Sequence, residues 1–164
     1  MRYAGLIKDD TAAGAGLCVT FFTQGCPHHC AGCHNPETWS FDGGLEFKPE
    51  VLNEIIESLR DRNIKRSLCI MGGEPLCLEN EPLTLSIILE VKAKLPNTPI
   101  YIWTGYTIEE LLQRGGKILD ILNSIDYLID GPFIKEYKDP SLKMRGSTNQ
   151  RIIDIKTFDF SKKI

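Results

Sequence analysis

The sequence predicts an α/β fold: a single domain over residues 1–164, built as a partial, open (β/α) barrel of about five or six mostly parallel strands. Three observations predict it. Short β-branched and aromatic runs alternate with amphipathic helical segments, as in repeated βα units. The first four apolar runs each end at or near a glycine. The chain has 164 residues. A complete eight-stranded barrel needs about 250, so the barrel is expected to stay open.

The first strand is residues 17–23 (LCVTFFT), β-branched and aromatic and ended by Gly25. A cysteine-rich loop follows it, and residues 34–48, with Pro36, Gly43 and Gly44, read as irregular. Pro49 suits the first turn of a helix. Val51, Leu52, Ile55, Ile56 and Leu59 then fall on one face of that helix. Residues 67–71 (SLCIM) form a second buried strand, stopped by Gly72-Gly73-Glu74-Pro75. Asn80 and Pro82 open a helix that Pro96 ends. Residues 100–103 are a third strand. Thr107 and Glu110 match a capping box, and the helix they start stops at Gly115-Gly116. Residues 117–123 add a helical turn or two. Residues 127–130 (YLID) are a fourth strand, closed by Gly131-Pro132. Residues 134–150 read as loop, 151–155 as a fifth strand, and 156–164 as a peripheral tail. Right-handed crossovers would put the strand ends on one rim, where α/β folds carry their sites.

Hydrophobic residues make up 42% of the chain and charged residues 25%, which admits a sizeable core. The net charge of −3 supplies no electrostatic argument for nucleic acid or an anionic membrane. Lys8, Asp9 and Asp10 interrupt the region a signal peptide would need apolar, and no run is long enough to span a bilayer. The expected location is the cytoplasm, where thiols stay reduced. The six cysteines (18, 26, 30, 33, 69 and 77) then read as metal or redox ligands plus buried thiols.

Cys26, Cys30 and Cys33 stand at C-x3-C-x2-C, and His28, His29 and His34 share the same nine residues. Three centres compete for this loop. Zinc would take the three cysteines and one histidine. A four-cysteine iron–sulfur cluster would add Cys69 or Cys77. A three-cysteine cubane would keep one iron open for chemistry. Structural zinc sites usually pair two separated knuckles, and here every ligand would come from one loop. Cys69 lies inside a predicted strand, whereas Cys77 follows Gly-Gly-Glu-Pro and stays open as a fourth ligand.

The cysteine motif after the first strand, with Gly72-Gly73-Glu74-Pro75 after the second, resembles the radical S-adenosylmethionine superfamily. Longer stretches narrow the resemblance. They are Thr23-Gln24-Gly25-Cys26, Cys33-His34-Asn35-Pro36-Glu37-Thr38-Trp39, Trp103-Thr104-Gly105-Tyr106, Asp130-Gly131-Pro132-Phe133, Asp139-Pro140-Ser141-Leu142 and Arg145-Gly146-Ser147-Thr148-Asn149-Gln150. Together they are similar to the branch of glycyl-radical-enzyme activases that serve anaerobic ribonucleoside-triphosphate reductases.

The resemblance implies the radical S-adenosylmethionine type of partial barrel, with a [4Fe–4S] cluster on Cys26, Cys30 and Cys33. It implies that the open iron takes the amino and carboxylate groups of S-adenosylmethionine. Reductive cleavage would give methionine and a 5′-deoxyadenosyl radical, which removes a hydrogen from a glycine of the large reductase subunit. A reduced flavodoxin-type protein would supply the electron. Gly72 and Gly73 would let backbone approach the ligand, and Glu74 would accept from its ammonium. Gly32 would leave room beside Cys33, and His34 would lie near the adenine. Thr104 would contact the ligand, and Asp130 would reach ribose hydroxyls. An activase of another glycyl-radical enzyme, a small radical enzyme of deazapurine biosynthesis and a non-catalytic zinc or iron–sulfur scaffold remain as alternatives.

Plainer readings stand beside these. Glu74 suits a helix cap, and Asp130 suits a turn before Gly-Pro. His28 and His29 read as solvated loop residues. Cys18, Cys69 and Cys77 read as buried thiols. Trp39, Trp103 and Tyr106 read as packing residues, and residues 145–151 as either solvated loop or partner contact.

Overall fold

In chain order, Arg2–Asp10 forms β1, Cys18–Thr23 β2 and Leu45–Glu46 the short β3. Then come α1 (Pro49–Leu59), β4 (Ser67–Gly72), α2 (Glu81–Lys94) and β5 (Ile100–Trp103). They are followed by α3 (Ile108–Arg114), α4 (Lys117–Ser124), β6 (Tyr127–Asp130) and β7 (Arg151–Asp154). The computed structural model describes residues 1–61 and 63–161. Residues 162–164 of the expected peripheral tail lie outside the described residues.

The strands form one open sheet of seven, in the order β3-β1-β2-β4-β5-β6-β7. Side chains alternate across it with period two. Val19, Phe21, Leu68, Ile70, Ile100, Ile102 and Leu128 point to one face and pack with Ile55, Ile56, Leu83, Ile87 and Ile121 of the helices. Cys18, Cys69, Tyr101 and Ile129 point to the other face, with Met71, Trp103 and Tyr127 beside them. Tyr101 stacks on Tyr127 at 4.7 Å. The helices therefore cover one face and leave the other for a site.

Local signals fix several helix ends. Pro49 starts α1, and Leu95, just before Pro96, closes α2. At α3 the Thr107 hydroxyl accepts from the Glu110 amide while Glu110 accepts from the Thr107 amide at 2.7 Å.

The sheet differs from expectation in strand count and direction. The pairs β2/β4, β4/β5 and β5/β6 are parallel, whereas β1/β2, β1/β3 and β6/β7 are antiparallel. The result is a mixed sheet of seven strands rather than five or six mostly parallel ones. Strand β1 was unexpected because it is half exposed and carries Lys8, Asp9 and Asp10. Its ladder with β2 holds it, not an apolar stripe. Strand β7 runs antiparallel because no helical crossover separates it from β6, only loop with a short turn at Lys135–Tyr137. Among the described residues, no helix is long and apolar enough to cross a membrane.

Candidate metal centre

The parallel strands β2, β4 and β5 end side by side, with Thr23 opposite Gly72 in register. Past these ends the chain is tied loop to loop. The Gly73 amide donates to Thr23 O at 2.9 Å and the Glu74 amide to Gly25 O at 2.8 Å. Asn80 Nδ2 donates to Gln24 O, Gly25 O and Glu74 O at 3.0–3.1 Å. On the other side, Gly25 N donates to Thr38 O and Cys26 N to Trp39 O. Gln24 Nε2 bonds Ser40 O at 2.7 Å. The segment that delivers Cys26 is thus held from both flanks before the cysteine loop begins.

Beyond it opens a cavity of about 430 Å³. Cys26, Cys30 and Cys33 line one side of it, and Gly72, Gly73 and Glu74 line another. Trp103 and Met144 add an apolar wall, joined where Trp103 Nε1 donates to Met144 O at 2.7 Å. Burial pushes the Cys26 thiol up to about 11, although the amides of His28 and His29 pull the other way. Burial raises Cys30 as well, against the Phe133 amide. The Asn35 amide points at Cys33 Sγ, at 3.4 Å. Burial thus favours the thiol form of Cys26 and Cys30, and a bound cationic centre would draw out the thiolates. His29 and Gly32 take left-handed backbone, at φ 48° and 76°, to turn the loop.

The two glycines of β4 and its turn meet backbone rather than open space. A Cβ on Gly72 would lie 2.8 Å from Thr23 N and O, and one on Gly73 would lie 2.3 Å from Gly25 O. Their lack of side chains is what lets the two loops touch.

Glu74 is 1% exposed. Its carboxylate accepts from Leu76 N (2.9 Å), Thr104 Oγ1 (2.8 Å), Gly105 N (2.7 Å) and His28 Nε2 (2.8 Å). Thr104 is buried, lines the cavity and is committed to this carboxylate. His28, read as solvated from sequence, sits against Tyr106 at 4.5 Å. Its partners lie 46 and 78 positions along the chain, so nothing local signalled them. Asn80, read only as a helix opener, was missed for the same reason. His29 is exposed beside Trp39. His34 is exposed at the cavity edge, 5.7 Å from Phe133.

Asp130 lies outside the cavity lining. Its carboxylate accepts from Ile108 N and from Arg151 Nε and Nη2, and so joins β6, α3 and β7. Gly32 also lies off the lining, beside Phe133 and Lys135.

The donor set suits a cluster better than a single ion. Among the described residues, no group of three or more His, Cys, Asp or Glu is gathered closely enough to hold one metal ion. No fourth cysteine among the described residues lines the cavity. Cys77 is buried with Sγ donating to Glu74 O at 3.2 Å, and burial raises its thiol to about 12. Cys69 packs with Cys18 on the sheet, its acidity suppressed by burial.

A family model described as a 4Fe-4S single cluster domain matches residues 12–153. The chain is 38% identical over 151 residues to the anaerobic ribonucleoside-triphosphate reductase-activating protein of Escherichia coli (strain K12), covering 92% of this chain and 96% of that protein. It is 41% identical to the proteins of the same name from Pasteurella multocida (strain Pm70) and Haemophilus influenzae (strain Rd), covering 93% of this chain and 96% and 97% of theirs. The chain belongs to the anaerobic ribonucleoside-triphosphate reductase-activating protein family.

For a member of this family an iron–sulfur cluster is the expected metal group, since the matched model describes one. The matched span includes the three loop cysteines, Gly72–Glu74, Thr104 and Asp130. The zinc alternative also loses its most enclosed histidine, because His28 is committed to Glu74.

Proposed function

We propose that this protein activates an anaerobic ribonucleoside-triphosphate reductase by placing a glycyl radical on its large subunit, and that its sheet is the radical S-adenosylmethionine type of partial barrel. The observation that carries this reading is the cavity. Three thiols without a fourth face Gly72-Gly73-Glu74 there, in a chain 38–41% identical to named activating proteins. The bound cluster would supply one electron to S-adenosylmethionine, yielding methionine and a 5′-deoxyadenosyl radical that takes a hydrogen from the reductase glycine.

The chain's own residues bind and orient. Cys26, Cys30 and Cys33 would hold the cluster. Gly72, Gly73, Glu74 and Thr104 would form the floor under the methionine part of the ligand, with the charge of Glu74, held by its four protein donors, attracting the ammonium. His34, at the cavity edge, would lie toward the adenine. Trp103 and Met144 would exclude water from one side. Asp130, bound by Arg151, would support the rim rather than touch ribose. A reduced flavodoxin-type donor and a cytoplasmic location complete the reading, with residues 1–164 acting as one domain.

The test is anaerobic reconstitution. The brown protein should hold about four irons per chain and, under dithionite, release methionine and 5′-deoxyadenosine from S-adenosylmethionine. Mixed with the large reductase subunit, it should produce a glycyl-radical signal. Colourless, zinc-loaded protein without cleavage would overturn the reading.

A further inference from the structure

We propose that His28 is a positioning residue that fixes the cysteine loop against Glu74, so that the thiols and the ligand floor keep one spacing. The proposal rests on the function given above in taking S-adenosylmethionine as the ligand.

A carboxylate offers about four lone-pair sites, and Glu74 uses them on Leu76 N, Thr104 Oγ1, Gly105 N and His28 Nε2. The first three donors belong to the β4–α2 turn and the end of β5, neighbouring strands of the sheet. They hold Glu74 in place. The fourth comes from between Cys26 and Cys30 and ties the cysteine loop to that fixed carboxylate. A carboxylate only accepts, so His28 Nε2 carries the hydrogen.

The ring is held on its other sides. Tyr106 meets it edge-on at 4.5 Å, and Tyr106 itself lies under Arg114 at 5.2 Å. A Cβ on Gly105 would stand 2.6 Å from the ring, so only glycine admits it there. The His28 side chain is 19% exposed. A ring packed and bonded in this way acts as a spacer. Its bond also completes the hydrogen bonding of Glu74, which would otherwise face the cavity with one oxygen under-satisfied. Misplacement of about 1 Å in such a site costs on the order of a hundredfold in rate.

The test compares His28→Gln, which keeps an N–H donor, with His28→Phe, which keeps a ring and loses the donor. Both should reconstitute to about four irons per chain. Dialysis should show S-adenosylmethionine binding weakened about tenfold or more in His28→Phe and restored toward wild type in His28→Gln. The change that S-adenosylmethionine induces in the electron paramagnetic resonance of the reduced cluster should shrink in His28→Phe alone. In metal-free protein, the Leu76 and Gly105 amides should exchange faster in His28→Phe and Gly105→Ala than in wild type or His28→Gln.

His28→Phe matching wild type in both binding and amide exchange overturns the proposal. Loss of iron from both His28 variants also overturns it, because His28 would then serve the metal itself. Wild-type protein that takes up iron but neither binds nor cleaves S-adenosylmethionine refutes the proposed function instead. Amide exchange in the metal-free protein still decides the role of His28.

Discussion

The carbonyl oxygen of Gly25 lies so near Gly73 that a Cβ on Gly73 would stand 2.3 Å from it. The same oxygen accepts from the Glu74 amide at 2.8 Å. The contact is main chain against main chain, so no side-chain rotation can relieve it. It fastens the residue before Cys26 to the residue before Glu74, and each side of the cavity fixes the other.

Gly73→Ala should therefore act on the metal site and the fold together. Overpacking of this kind costs about 1–3 kcal/mol. Urea unfolding of the metal-free protein should show that loss, and reconstituted iron should fall below wild type. Wild-type iron content and stability in Gly73→Ala would refute the reading of this contact.

Replacing Cys26, Cys30 or Cys33 singly with alanine should abolish stable cluster uptake, measured as iron and sulfide per chain. Cys77→Ala should keep about four irons, because its Sγ turns to Glu74 O and lies off the cavity. Loss of the cluster in Cys77→Ala would establish four-cysteine ligation.

Thr107→Ala removes the hydroxyl half of the α3 capping box and leaves the bond from its backbone amide to Glu110. The expected cost is about 1 kcal/mol, or a fall in melting temperature of about 2–4 °C for a chain of this size. Calorimetry checks it. Cluster content should not change, since Thr107 lies off the cavity lining.

Asp126 supplies an acid-sensitive tie. Burial works against its charge. The Ile100 amide, Lys156 and Lys92 outweigh that and hold the carboxyl below the usual range. A depressed folded-state value means the stabilisation is fully present above the unfolded Asp pKa of about 3.9 and is lost as pH falls through the folded value. Asp126→Asn should be less stable than wild type at about pH 6 and should lose less between about pH 5 and pH 3. Parallel urea midpoints across that range would count against it.

Much of the fold was legible in the sequence because its signals are local. The strands β2, β4, β5 and β6 are apolar runs with clear stops, and Pro49, Pro96 and the Thr107–Glu110 box mark helix ends. Strand β1 was not legible, since Lys8, Asp9 and Asp10 hide a half-exposed strand that its partner stabilises. The direction of β7 depends on a missing crossover, which no residue within it announces. At the site, the cysteine spacing is read from eight consecutive positions, 26–33. The environment of Glu74 is not, because His28 and Gly105 reach it from 46 residues before and 31 after. The sequence reads Asp130 as a ribose contact or a turn, and its partner Arg151 lies 21 residues on, beyond the reach of a local signal.

An open sheet leaves two edges, and exposed edges invite strand-to-strand aggregation. One edge here ends in β3, only two residues long. Behind it, β1 breaks register twice, between Tyr3 and Gly5 and between Ile7 and Asp10. Its Lys8 pairs with Glu54 and its Asp9 with Arg66, so charge and irregularity sit where a new strand would dock. The other edge, β7, is four residues bounded by Arg151 and Asp154. Neither edge offers a long, flat, apolar ladder. The sheet can stay open without becoming a template for self-association.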